Sequence, residues 1–216
     1  MYLILLRHGE IDKTDKVNPP INKKGIKQAK ITGKFLNKHF KIKKIYCSTL
    51  LRAKQTTEYI NKNLKIKNII YSEKLIEKDH GIYSKKTDKE ISNIISKNNV
   101  LKKFEEKTQK YNHLEKLINM YENEKIAHIT KEEVHTYINK RAKKILNKII
   151  KENKNQDILV ITHNSFINSS IRSLFNIREV FKNFISGEKH CHITIIKIEG
   201  NKKNLIMSKN NFHLLK

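Results

Sequence analysis

The chain has 216 residues, 38% of them hydrophobic and 31% charged, which is enough apolar material for one buried core. Two prolines and six glycines exclude collagen-like and Pro-rich architectures. Lys and Arg number 46 against 21 Asp and Glu, a formal charge of +25, yet only five of the 46 are arginine. The lysines run from Lys13 to Lys216 with no single block. A nucleic-acid binder clusters its basic residues and favours arginine where it reads phosphate. The charge therefore reads as a Lys/Ile/Asn compositional bias whose field attracts anionic ligands, and no specific nucleic-acid partner is expected. Cys47 and Cys191 match no metal spacing and read as reduced thiols. The apolar run Tyr2–Leu6 stops at Arg7, too short for a signal peptide or a membrane span, so a soluble, cytoplasmic protein with no membrane partner is expected.

The first predicted element is that run, Tyr2-Leu3-Ile4-Leu5-Leu6. It lacks alternation, as a strand covered on both faces does. A polar loop over 10–21 holds both prolines, Pro19 and Pro20. Asn22 then caps a predicted helix in which Ile26, Ala29, Gly33, Leu36 and Phe40 recur at 3,4 spacing. Ile45-Tyr46-Cys47 reads as a second strand, and Leu50, Ala53, Thr57, Ile60 and Leu64 mark a second helix. Ile69-Ile70-Tyr71 is a third strand. This alternation predicts an α/β layered domain. From about 84 to 153 only helical periods appear, one on Leu101, Phe104, Tyr111, Leu114, Ile118 and Tyr121, another on Val134, Ile138, Arg141, Ala142, Ile145 and Ile149. Asp157–Thr162 restores the buried-strand pattern, a helix follows through Leu174, and strands are predicted at 192–198 and 205–208.

The chemistry-bearing residues fall just after the strands, where open α/β sheets form their ligand crevice. Arg7 and His8 follow the first strand, Ser48 and Arg52 the second, Glu77 the third, and His163 the strand at 157–162. Arginine is scarce against abundant lysine, so its presence here points to a need for the planar fork that grips two phosphate oxygens.

These residues carry a resemblance. Leu6-Arg7-His8-Gly9-Glu10 resembles the Arg-His-Gly signature of the histidine phosphatase superfamily, the phosphoglycerate mutase-like fold. Further blocks occur in order: Pro20-Ile21-Asn22-Lys23-Lys24-Gly25-Ile26-Lys27-Gln28-Ala29, Ser48-Thr49-Leu50-Leu51-Arg52-Ala53-Lys54-Gln55-Thr56, Leu75-Ile76-Glu77-Lys78-Asp79-His80-Gly81, Val160-Ile161-Thr162-His163 and Asn211-Phe212-His213-Leu214. The resemblance implies a three-layer α/β/α fold with a mostly parallel central sheet, as one domain over 1–216 with a helical, cap-like insertion at about 84–135.

It also implies a metal-independent phosphomonoesterase without a cofactor, acting on an anionic phosphorylated substrate: a small metabolite or sugar phosphate, or a phosphoprotein. His8 would attack phosphorus and become a phosphohistidine. Arg7, Arg52 and His163 would surround the non-bridging oxygens. Thr14 stands where many family members place a phosphoryl-contacting asparagine. Glu77 would protonate the leaving oxygen, with Asp79 as its competitor, and such a role calls for a carboxyl raised by partial desolvation. Ser48 would orient His8 or Arg52, or only cap the next helix. Glu10 reads as a structural partner, His80 as a substrate contact or a solvated loop residue, and Arg141 and Arg172 as helix-surface residues. The chain lacks tryptophan and any Arg-Arg pair, and Asn164-Ser165 follows His163 where Gly-Gly is common. The missing tryptophan and Arg-Arg pair, with Thr14, favour hydrolysis over a mutase-type transfer, while Asn164-Ser165 bears on pocket shape; a non-catalytic phosphate-binding scaffold is the alternative of another class.

Overall fold

A computed structural model describes residues 1–12, 18–79, 81, 86, 88–108, 133, 135–177 and 189–214. The chain forms two compact units, one of Met1–Glu77 with Asn139–Lys216 and one of Lys78–Ile138. The first is built on six strands: β1 (Tyr2–Arg7), β2 (Ile42–Ser48), β3 (Ile69–Ser72), β4 (Asp157–Thr162), β5 (Ile193–Glu199) and β6 (Lys202–Asn210). Their order is β3-β2-β4-β1-β5-β6. The four strands from β3 to β1 are parallel, whereas β5 and β6 are antiparallel additions at one side. The expected mostly parallel sheet is thus the observed one.

Among the described residues four helices cover this sheet: α1 (Lys23–His39), α2 (Leu51–Leu64), α5 (His135–Glu152) and α6 (Asn164–Phe175), numbered after α3 (Asp88–Ser96) and α4 (Asn99–Thr108) of the second unit. Successive strand residues point to opposite faces, and the unbroken apolar run in β1 fills two cores at once. Leu3 and Leu5 join Ile158, Val160, Ala142, Leu146, Ile149 and Phe166 on the α5/α6 side. Ile4 and Leu6 join Leu159, Ile161, Ala29, Leu36, Ala53 and Ile60 on the α1/α2 side. The result is a three-layer sandwich. Each of the four β1 side chains is fully buried, a contribution of about 1.5–3 kcal/mol apiece.

α1 starts where Asn22 accepts the Gly25 N–H at 2.8 Å. A Cβ on Gly33 would lie 2.8 Å from the Ile60 carbonyl oxygen, so glycine there lets α1 and α2 approach backbone to backbone. Asp157, at the start of β4, accepts the Tyr2 N–H at 2.8 Å and the Lys41 N–H at 3.4 Å.

In the second unit, α3 and α4 are amphipathic, and Leu101 is buried. Asp79 and Glu133 exchange hydrogen bonds there: the Glu133 N–H donates to the Asp79 carbonyl (2.9 Å) and the Asp79 N–H to Glu133 Oε2 (3.3 Å). Tyr111, Leu114, Ile118, Tyr121 and Val134 of the predicted helical faces lie outside the described residues. No helix among the described residues is long and apolar enough to cross a membrane.

Candidate active site

Strand pairing places the site. Arg7 on β1 is the partner of Thr162 on β4, so the next residues, His8 and His163, leave the sheet side by side. Their ring centroids are 5.1 Å apart. Ser48 ends β2 one position past the Cys47–Ile161 pair and therefore reaches β4's end, not β1's. The His8 backbone is held from both neighbours, its N–H donating to the Thr162 carbonyl at 3.1 Å and its carbonyl accepting the Cys191 N–H at 3.2 Å.

Two hydrogen bonds define the His8 tautomer. Nδ1 lies 2.8 Å from the Gly9 carbonyl oxygen, which can only accept. Nε2 lies 3.2 Å from Arg52 Nε–H, which can only donate. The proton is therefore on Nδ1 and the lone pair on Nε2. Burial, then the Arg52 charge, holds the His8 imidazole well below its ordinary pKa, with Arg7 acting in the same direction and the Gly9 bond opposing. His8 is neutral at pH 7, with its lone pair facing a guanidinium.

His163 is held neutral in the same way, by burial first and then by His8, Arg52, Arg7 and Arg141. Its Nε2 lies 2.8 Å from Ser48 Oγ, and that oxygen accepts the Leu50 N–H at 3.3 Å. The Ser48 hydroxyl can donate to Nε2 or accept from it, so the bond fixes where the imidazole sits without choosing its tautomer, and Nδ1 is buried with no hydrogen-bond partner among the described residues. Ser48 thus orients His163; the expectation that it orients His8 or Arg52 is corrected by the neighbouring of β2 and β4.

The loop after β1 is fastened by side-chain acceptors. Thr56 Oγ1 accepts the Gly9 N–H (2.9 Å) while donating to the Arg52 carbonyl (2.6 Å). Gln28 Oε1 accepts the Glu10 N–H (3.0 Å), and Gln55 Oε1 the Ile21 N–H (2.9 Å). Glu10 itself is structural: its carboxylate accepts from Asn22 Nδ2 (3.1 Å) and pairs with Lys24 Nζ (2.9 Å), both of which lower its pKa. Gly9 and Gly25 are glycines because the chains touch: a Cβ on Gly9 would sit 2.8 Å from the Gly25 carbonyl oxygen, and one on Gly25 would overlap the Glu10 backbone.

Glu77 reaches the start of α6, where its Oε1 accepts the Ser165 N–H at 3.1 Å. The N-cap residue of that helix, His163, makes no side-chain cap, so Glu77 supplies it from outside the helix. Burial lowers the Arg52 pKa while the Glu77 charge opposes. Arg7, His8, Ser48, Arg52, Glu77 and His163 are thus brought together. Thr14 and His80 lie outside the described residues. The Asp79 carboxylate accepts the Gly81 N–H at 2.8 Å within its own loop.

One reading of a surface arginine is corrected: Arg172 is buried. Arg141 is half-buried on its helix, where Nη1 donates to the carbonyls of Lys74 (3.0 Å) and Ile76 (3.1 Å). His190 was not anticipated: its ring is 5.5 Å from that of His8, and it lines an adjoining hollow of about 640 Å³ with Glu10, Lys24, Lys27 and Lys189. The signal was available, since the start of an antiparallel strand lies at the same sheet edge as the carboxyl ends of parallel ones. Among the described residues no group of three or more His, Cys, Asp or Glu side chains is arranged to hold a metal ion.

Comparison with known proteins bears on the fold and the family. The family model of the histidine phosphatase superfamily (branch 1) matches residues 3–211. No curated protein sequence matches the chain. Solved structures of similar fold include a phosphoserine phosphatase from Entamoeba histolytica in complex with phosphoserine, with a TM-score of 0.69 and 20% identity over 99% of this chain and 98% of that one. Bacillus stearothermophilus YhfR has a TM-score of 0.74 and 20% identity over the same shares. A mycobacterial glucosyl-3-phosphoglycerate phosphatase has a TM-score of 0.70 and 14% identity over 96% and 98%. At such identities the structures speak to fold, and the family match over nearly the whole length decides membership: the chain belongs to the histidine phosphatase superfamily.

Proposed function

We propose that the protein is a metal-independent phosphomonoesterase working through a phosphohistidine on His8, the whole chain forming one catalytic domain with the segment at about 84–135 as its helical insertion. The observation that carries this reading is the His8 tautomer. A neutral imidazole whose Nε2 lone pair is fixed by the Gly9 carbonyl on one side and Arg52 on the other is a prepared nucleophile. In the first step a bond forms from Nε2 to phosphorus and the bond from phosphorus to the ester oxygen breaks. The leaving oxygen takes a proton from Glu77. In the second step water attacks phosphorus, gives its proton to Glu77, and the N–P bond breaks, restoring the lone pair.

Arg52 turns its donors from Nε2 to the phosphoryl oxygens as substrate arrives. Arg7 and the His163 imidazole hold the remaining charge, with Thr14 as a further phosphate contact. The Ser165 N–H anchors the Glu77 carboxyl at Oε1 while it passes the proton. With both imidazoles neutral, the two arginines and Glu77 leave the pocket net positive, suited to a phosphate dianion. The phosphatases among its fold neighbours support hydrolysis of a small metabolite or sugar phosphate, and a phosphoprotein is the other substrate class of this reading.

The deciding experiment is turnover of an aryl phosphate in EDTA by wild type and His8→Ala. Turnover that persists in EDTA and vanishes with His8→Ala is the expected result. Folded protein that binds phosphate but turns over no ester would replace this reading with the scaffold, and dependence on a bisphosphate primer would replace it with a mutase.

A further inference from the structure

We propose that Arg141 is a positioning residue that holds Glu77 for proton transfer, and thereby sets how well the site expels poor leaving groups; the proposal rests on the phosphohistidine reading above. β3 ends at Ser72, and a 3-10 turn (Glu73–Leu75) carries the chain beyond the sheet toward Glu77. Carbonyl groups there have no strand to pair with and need other donors. Side chains from two other elements capture three in succession. Arg141 on α5 donates from one nitrogen, Nη1, to both Lys74 (3.0 Å) and Ile76 (3.1 Å), and Thr162 at the end of β4 donates to Leu75 at 2.6 Å.

The guanidinium also lies over the Phe166 ring, 5.4 Å from its centroid. Phe166 is fully buried in α6, and the residue before it, Ser165, is the one whose N–H anchors the Glu77 carboxylate. Arg141 therefore grips the backbone just before Glu77 while resting on the helix that grips its side chain. A lysine could supply charge, but neither the planar stack on a ring nor several donors from a rigid plane. Arginine stands at this position in a chain whose basic residues are otherwise almost all lysine. The arrangement fixes where a carboxyl sits, and general acid catalysis is sensitive to that position.

The test compares kcat/KM for an alkyl phosphate, whose alkoxide must be protonated as it leaves, with that for 2,4-dinitrophenyl phosphate, whose phenolate need not be. Because kcat/KM reports the phosphoenzyme-forming step, later hydrolysis does not mask the difference. Arg141→Gln is expected to lower the alkyl-ester value by about 10- to 100-fold, with a much smaller loss on the activated ester. Arg141→Lys should recover part of the loss, and it guards against a Gln variant that fails to fold, which circular dichroism would reveal. Glu77→Gln should show the same leaving-group pattern, and adding Arg141→Gln to it should cost little more.

Equal losses on both esters, or losses that multiply in the double variant, would overturn the positioning role while leaving the phosphohistidine reading intact. Wild type that turns over neither ester would overturn that reading, and the positioning role with it.

Discussion

The two neutral histidines at the sheet edge make stability depend on pH in a definite way. His8 and His163 are both held well below the ordinary histidine pKa, chiefly by burial. In the unfolded chain they charge near pH 6.5; in the folded protein they do not. Stability contributed by a depressed group is complete above the unfolded pKa and is lost as pH falls toward the folded one. Between pH 7 and pH 5.5 each should cost about 1.2 kcal/mol, or roughly 2.5 kcal/mol for the pair, out of a typical total of about 5–15 kcal/mol. Buried His213, pushed down to about 4, adds a loss of the same sign. Carboxylates such as Glu10, which lies below its ordinary value near 4.5, act at lower pH and leave this window to the imidazoles.

Urea unfolding at several pH values across the window measures the slope, and His8→Asn and His163→Asn should each flatten it by about one proton near its acid end. A profile level from pH 7 to 5.5, or a slope unchanged in both variants, would refute the assignment of buried neutral imidazoles.

Other consequences are as direct. Ser48→Ala removes the hydroxyl that holds His163 Nε2 at 2.8 Å, so kcat/KM should fall about 10-fold with little change in melting temperature; an undiminished rate would mean that His163 keeps its orientation unaided. Thr56→Val leaves the Gly9 N–H buried without its acceptor and should cost about 1–3 kcal/mol in urea unfolding, together with a loss of rate through the His8 loop. Gly25→Ala drives a methyl group into the Glu10 backbone; a cost above about 2 kcal/mol is expected by the same assay, and a stable variant would show that the loop after β1 yields.

Where the sequence was legible, a simple physical pattern lay behind it. An apolar run without alternation announced β1 and β4, and residues just beyond such runs gather at one sheet edge, which placed His8 and His163. What escaped depended on neighbours in space. Ser48 pairs with His163 because β4 lies between β2 and β1, an order that no local pattern encodes. Arg141 sits on a helix with ordinary amphipathic spacing, and its partners are backbone carbonyls, which carry no side-chain signature. The roles of Gln28, Gln55 and Thr56 were hidden for the same reason: each accepts a backbone N–H from a loop distant in sequence. His190 precedes an antiparallel strand, and a rule built on the ends of parallel strands passes over it.

The doubly buried β1 has a further consequence. A strand with one wet face is kept from sliding by its own alternation, because a slip of one residue would expose the core. Leu3-Ile4-Leu5-Leu6 has no wet face, so sliding by one position exchanges one aliphatic side chain for another, and greasiness alone does not choose an alignment. The choice falls to the two ends of the run, where the Asp157 carboxylate takes the Tyr2 N–H and the polar residues Arg7 and His8 end the apolar stretch. The six intervening steps span about 20 Å. The nucleophile is thus aimed partly from the opposite end of its strand, by an aspartate that never approaches the substrate.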